Sequence, residues 1–71
     1  MITWKIVDGS TLREHECALI DGKEVGAVWL SRYEDSVWQW SVNDTSIPWP
    51  RRGHRLSKQE AKTVVESKVN K

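Results

Sequence analysis

Seventy-one residues, 38% hydrophobic and 30% charged, suffice for one domain with a small core and leave no room for a second lobe. Cys17 is the only cysteine, which excludes an internal disulfide; with five Trp, one Tyr and no Phe, indoles must supply much of the buried area. The net charge of +1 hides an asymmetry: Asp8, Glu14, Glu16, Asp21, Glu24, Glu34 and Asp35 outnumber Arg13, Lys23 and Arg32, whereas Arg51, Arg52, Arg55, Lys58, Lys62, Lys68 and Lys71 face only Glu60 and Glu66. This pattern suits an oppositely patterned partner and lacks the uniform basic surface of a non-specific nucleic-acid binder.

No charged-then-apolar leader and no long apolar run is expected, so the chain reads as cytoplasmic and without a membrane partner. Ile2 to Val7 can form a strand closed by the turn residues Asp8-Gly9-Ser10. Residues 14–20 and 25–32 are predicted to pair as a hairpin around Asp21-Gly22, whose tolerance of φ > 0 suits a two-residue turn. The polar stretch from Tyr33 to Ser36 leads into a strand over 37–43, where Trp38, Trp40 and Val42 alternate with Gln39, Ser41 and Asn43.

Setting Leu30 opposite Trp38, Val28 opposite Trp40 and Gly26 opposite Val42 gathers Cys17, Leu19, Val28, Leu30, Trp38, Trp40 and Val42 on one face. The other face is expected to carry Glu14, Glu16, Trp29, Gln39 and Ser41. A one-residue slip would exchange Trp29 with its neighbours.

Residues 44–56 read as a connector. In it Ile47-Pro48-Trp49-Pro50 takes an extended path with Trp49 covering a core edge, and Arg51 to Arg55 form a cationic turn eased by Gly53. Ser57-Lys58-Gln59-Glu60 fits a capping box, with Leu56 and Ala61 at staple positions, and opens a helix over about 58–69. Ala61, Val64, Val65 and Val69 form its apolar stripe, while Lys58, Lys62 and Glu66 are expected to point to water. The predicted class is α+β: residues 1–71 as a single domain, a three-stranded antiparallel meander with residues 2–7 as an open fourth strand, packed on one C-terminal helix.

Asp21-Gly22-Lys23-Glu24-Val25-Gly26, Trp38-Gln39-Trp40-Ser41-Val42, Gly53 and Ser57-Lys58-Gln59-Glu60-Ala61-Lys62 together resemble a recurrent pattern in short bacterial and phage proteins of unknown function, over roughly residues 20–68. The resemblance implies a fold and carries no catalytic or binding position with it. A three-stranded sheet followed by a helix is also similar to the DNA-binding domains of the AP2 and phage-integrase amino-terminal type, whose sheet face opposite the helix enters the major groove. Glu14 and Glu16 on the corresponding face here would repel phosphate.

His15, Cys17 and His54 are the side chains from which a metal site or a thiol–base pair would be built. Zinc needs three or four ligands at a recognisable spacing, and a thiol needs a positioned base, so Cys17 reads as a small core residue and His15 as an edge or partly buried side chain. No phosphate loop, nucleophile elbow or metalloprotease motif occurs, and a chain this short is not expected to enclose a pocket of roughly 300 Å³. The sequence therefore points to a non-enzymatic protein with no cofactor, metal or small-molecule substrate.

Trp49, Arg51, Arg52 and Arg55 are the leading contact candidates, because Trp and Arg dominate interface hot spots and guanidinium groups grip carboxylate or phosphate in pairs. The favoured expectation is stoichiometric binding of a protein partner. The alternative is a nucleic-acid-binding module that uses the 51–62 segment with Lys58 and Lys62, and Trp29 or Trp49 as a stacking aromatic.

Overall fold

The computed structural model describes residues 2–44 and 46–69. Within them Asp21 and Gly22 take φ of 52° and 81°, both in the left-handed region, and close a tight hairpin between β2 (Arg13–Ile20) and β3 (Lys23–Leu30). Three further strands, β1 (Thr3–Ile6), β4 (Trp38–Val42) and β5 (Arg52–Arg55), complete an antiparallel sheet in the order β1-β2-β3-β4-β5. The helix α1 (Lys58–Val69) lies across one face and packs mainly on β3 and β4.

The class is α+β, as the sequence indicates, but the sheet has five strands where three or four were expected. Residues 3–6 do pair, through Trp4 opposite Ala18. The 44–56 connector hides a strand: the expected cationic turn is β5, with Gly53 opposite Trp40 and His54 opposite Gln39. Gly53 is there for space, since a Cβ would lie 3.0 Å from Trp40 Cζ2 and 3.2 Å from its Nε1.

Between β3 and β4 the register is the one read from the indole alternation: Leu30 opposite Trp38, Val28 opposite Trp40, Gly26 opposite Val42 and Trp29 opposite Gln39. Between β2 and β3 it differs. An unbroken two-residue hairpin would set Cys17 opposite Gly26, on the indole face. The register shifts between Ala18 and Leu19, leaving Val25 as an extra residue, so that Ala18 faces Gly26, Cys17 faces Ala27 and Glu16 faces Val28. Up to the next shift, the β2 side chains are thereby exchanged between faces. Cys17 and Leu19 leave the helix side and Glu16 enters it, contrary to expectation. A second shift, between Arg13 and Glu16, coincides with Glu14 at φ 51°.

Ala18, Val28, Trp40, Val42, Ile47, Ala61 and Val65 form the buried core between sheet and helix, with Trp4, Trp38, Val64 and Val69 packed around it. Small residues set the helix height: Ala18 and Ala61 are fully buried, and a Cβ on Gly26 would come 2.8 Å from Val65 Cγ1. Burying Trp40 to 2% exposure supplies the largest single apolar area of the core.

At the helix start the Glu60 N–H donates to Ser57 Oγ at 3.1 Å, the capping bond anticipated from the sequence. The staple does not form, because Leu56 is 72% exposed. Nor does Trp49 cover the core; it is 66% exposed and carries the Arg51 guanidinium 4.4 Å above its ring centroid.

Candidate functional site

Strand alternation decides which candidate side chains meet. On the helix side of the sheet, Glu16 is buried, and α1 presents Lys58 and Lys62 one turn apart directly above it. Lys58 Nζ lies 2.6 Å from Glu16 Oε2 and Lys62 Nζ 2.7 Å from Oε1. Each ammonium also sits over an indole, Lys58 at 5.4 Å from the Trp38 centroid and Lys62 at 5.0 Å from Trp4. Trp4 Nε1–H donates to Glu66 Oε2 at 2.9 Å.

Burial acts to raise the Glu16 carboxyl, but hydrogen bonds and charge from the two ammoniums outweigh it and hold the group below the ordinary carboxylate range. Lys58, Lys62 and Glu66, expected in water, are therefore engaged in one network, and the basic segment from 51 to 62 is not a continuous set of unengaged cations.

The three arginines do not form one patch either. Arg51 stacks on Trp49 ahead of the strand. Arg52 and Arg55 fall on opposite faces of β5: Arg52 opposite Ser41 on the side away from the helix, Arg55 opposite Trp38. Arg55 Nη1 donates to the His54 carbonyl at 2.8 Å.

Opposite the helix the sheet face is covered by no other element of the described chain. Two cross-strand rows run over it, Trp29-Gln39-His54 and Ala27-Ser41-Arg52. Trp29, Gln39, His54, Ser41 and Arg52 from these rows, with Tyr33 and Glu34, line an open groove of about 790 Å³. It lies open on the sheet surface and is not an enclosed pocket.

The groove is braced from β2. His15 meets Trp29 edge-on, with centroids 6.2 Å apart, and shares a 2.8 Å hydrogen bond with Ser10. Two residues earlier on β2, Arg13 anchors the loop that carries Tyr33 and Glu34, donating to the Ser31 carbonyl at 2.9 Å and pairing with Asp35 at 2.6 Å. Tyr33 is 87% exposed on that loop.

Of the seven sequence candidates, then, Trp29 and Arg52 line one groove, Trp49 and Arg51 stack apart from it, Arg55 faces the other way, and Lys58 and Lys62 hold Glu16. His54 and Tyr33, which line the same groove, were not among those candidates. The spacing of Arg52 and His54 two apart was the available signal, legible once that segment is taken as a strand. Cys17 is buried on the open side beside Ala27. Among the described residues no three His, Cys, Asp or Glu side chains gather as a metal site would require, and no helix is long and apolar enough to cross a membrane.

No family model, curated protein or solved structure matches the chain.

Proposed function

We propose that this chain is a non-catalytic module that binds a protein partner stoichiometrically through the open face of its sheet. One observation carries the proposal: the uncovered face gathers Trp29, Arg52, His54 and Tyr33 around a single groove. Trp, Tyr and Arg are the residue types that concentrate binding energy in protein interfaces, and strands β3 and β5 hold Trp29, Arg52 and His54 at low entropic cost. Gln39 and Ser41 between them offer hydrogen-bonding groups on the groove floor.

A second possibility, single-stranded nucleic acid on the same face, gains from Glu16 having left it, since the carboxylate that would repel phosphate lies under the helix. It loses by the engagement of Lys58 and Lys62 in that same ion cluster.

The test is affinity capture from the native host with the unmodified chain, Trp29→Ala, Arg52→Ala and, as a control on the other face, Arg55→Ala. The cognate protein should be lost with the first two variants and retained with the third, while all three keep dispersed amide spectra. Equal capture by all four chains refutes the open-face assignment. Nuclease-sensitive capture replaces it with the nucleic-acid function.

A further inference from the structure

Resting on the open-face function proposed above, we infer that the groove receives an extended acidic segment of the partner, with carboxylates at alternate positions along β5 and an apolar side chain against Trp29.

The spacing comes from the register. Arg52 and His54 lie two residues apart on one face of β5, about 7 Å at the rise of a strand. An extended chain repeats its own same-side side chains at that interval, so acids at positions i and i+2 come level with the Arg52 guanidinium and the His54 imidazole together. Both groups offer N–H donors, and a guanidinium takes a carboxylate through two of them. Trp29 shares the row of His54 two strands away, roughly 10 Å across the face. It therefore stands on the opposite wall, where a side chain pointing the other way along the groove meets an indole instead of a charge.

The charges choose between chemistries. Among the described residues Arg52 is the one fixed cation lining the groove, and Glu34 lines its loop end. A phosphodiester chain carries a charge at every nucleotide and would place one against Glu34, whereas a peptide can place its acids at β5 alone. The cations that would have extended the strip lie elsewhere: Lys58 and Lys62 on Glu16, Arg55 on the far side of β5.

The backbone decides how the segment lies. Val42 N–H donates to the Arg51 carbonyl at 2.8 Å, so in the alternating antiparallel pattern Arg51, Gly53 and Arg55 bond to β4, while Arg52 and His54 turn their peptide groups outward. Arg55 Nη1 already occupies the outward carbonyl of His54. Addition of a partner strand along that edge is obstructed, and the segment rests on the face.

The experiment is an amide and indole NMR titration of the isotope-labelled full chain with three probes: an end-capped peptide of alternating Glu and Val about eight residues long, sufficient to cross the groove; its Gln–Val counterpart; and an oligothymidylate of similar length. The acidic peptide should give saturable shifts at Gln39, Ser41, Arg52, His54 and the Trp29 indole, and should bind about tenfold more tightly than the Gln–Val peptide. Arg52→Gln should lose about the same factor, as for one charge-assisted contact, and Arg55→Gln should lose none.

No saturable shift with the acidic peptide, equal binding of the Gln–Val peptide, or tighter binding of oligothymidylate each overturns the inference. If capture of the partner depends on Trp29 and Arg52 while the acidic peptide fails, the acidic segment is wrong and the face stands. If capture ignores both substitutions, the open-face function itself falls.

Discussion

Glu16 Oε1 lies 2.7 Å from Lys62 Nζ, so a carboxylate from the acidic half of the sequence is neutralised by a base from its cationic tail. Lys58 completes the cluster at 2.6 Å from the other carboxylate oxygen. Part of the charge asymmetry along the chain is thus an internal fit of helix to sheet, and only the remainder is free to act on a partner.

Glu16→Gln should lower stability by about 1–2 kcal/mol at neutral pH. That is less than for a fully buried pair, because the Lys58 side chain is 39% exposed and solvent screens it. The sign with pH follows from the lowered carboxyl of the native state. Its contribution is complete above the unfolded carboxylate pKa, about 4.3, and disappears as pH falls through the lower native value. Denaturant titrations from neutrality into acid should therefore show the gap between wild type and variant closing below that range; a gap constant down to strong acid contradicts the ion cluster.

Gly26→Ala should be more damaging. A Cβ there would stand 2.7 Å from the Ser41 carbonyl oxygen and 2.8 Å from Val65 Cγ1, and the first of these is backbone that cannot rotate away. We expect a loss of about 2 kcal/mol or more, which for a domain of this size lowers the melting temperature by roughly 10 °C. An unchanged melting curve would show that the helix does not approach β3 as closely as described.

The indoles differ enough in exposure to be told apart by collisional quenching. Trp40 is 2% exposed and Trp49 66%. Acrylamide should give a downward-curving quenching plot. Trp49→Phe should remove the most accessible, red-shifted component, and Trp40→Phe the protected one. A straight plot with every indole equally accessible is incompatible with this core.

The β3–β4 ladder was legible because Trp38, Trp40 and Val42 alternate opposite Val28 and Leu30, and large apolar side chains at period two admit one economical register. The helix was legible from its Ser57 cap and valine stripe. The bulge at Val25 was not: one extra residue in a strand leaves no mark on local composition, yet it moved Glu16 under the helix and Cys17 out from it.

β5 escaped because Arg-Gly-His-Arg contains no apolar alternation; its helix-side positions are Arg55 and Gly53, and at Gly53 the Trp40 ring fills the space a side chain would need. That omission also concealed the groove. Trp29 could be assigned to the open face from β3 and β4, but its meeting with Arg52 and His54 required the strand that sequence pattern did not reveal.

In this sheet each strand hydrogen-bonds to its neighbour in the sequence, so the order in space is the order along the chain. Assembly can proceed by successive hairpin closures, beginning at the tight Asp21-Gly22 reversal, with no distant segment threaded between others. Helix α1 follows all five strands along the chain and is also the element that seals Trp40, so a nascent chain that has not yet added it would present that indole bare. Rapid zippering of the ribbon followed by a single docking step is the kinetic signature this topology dictates.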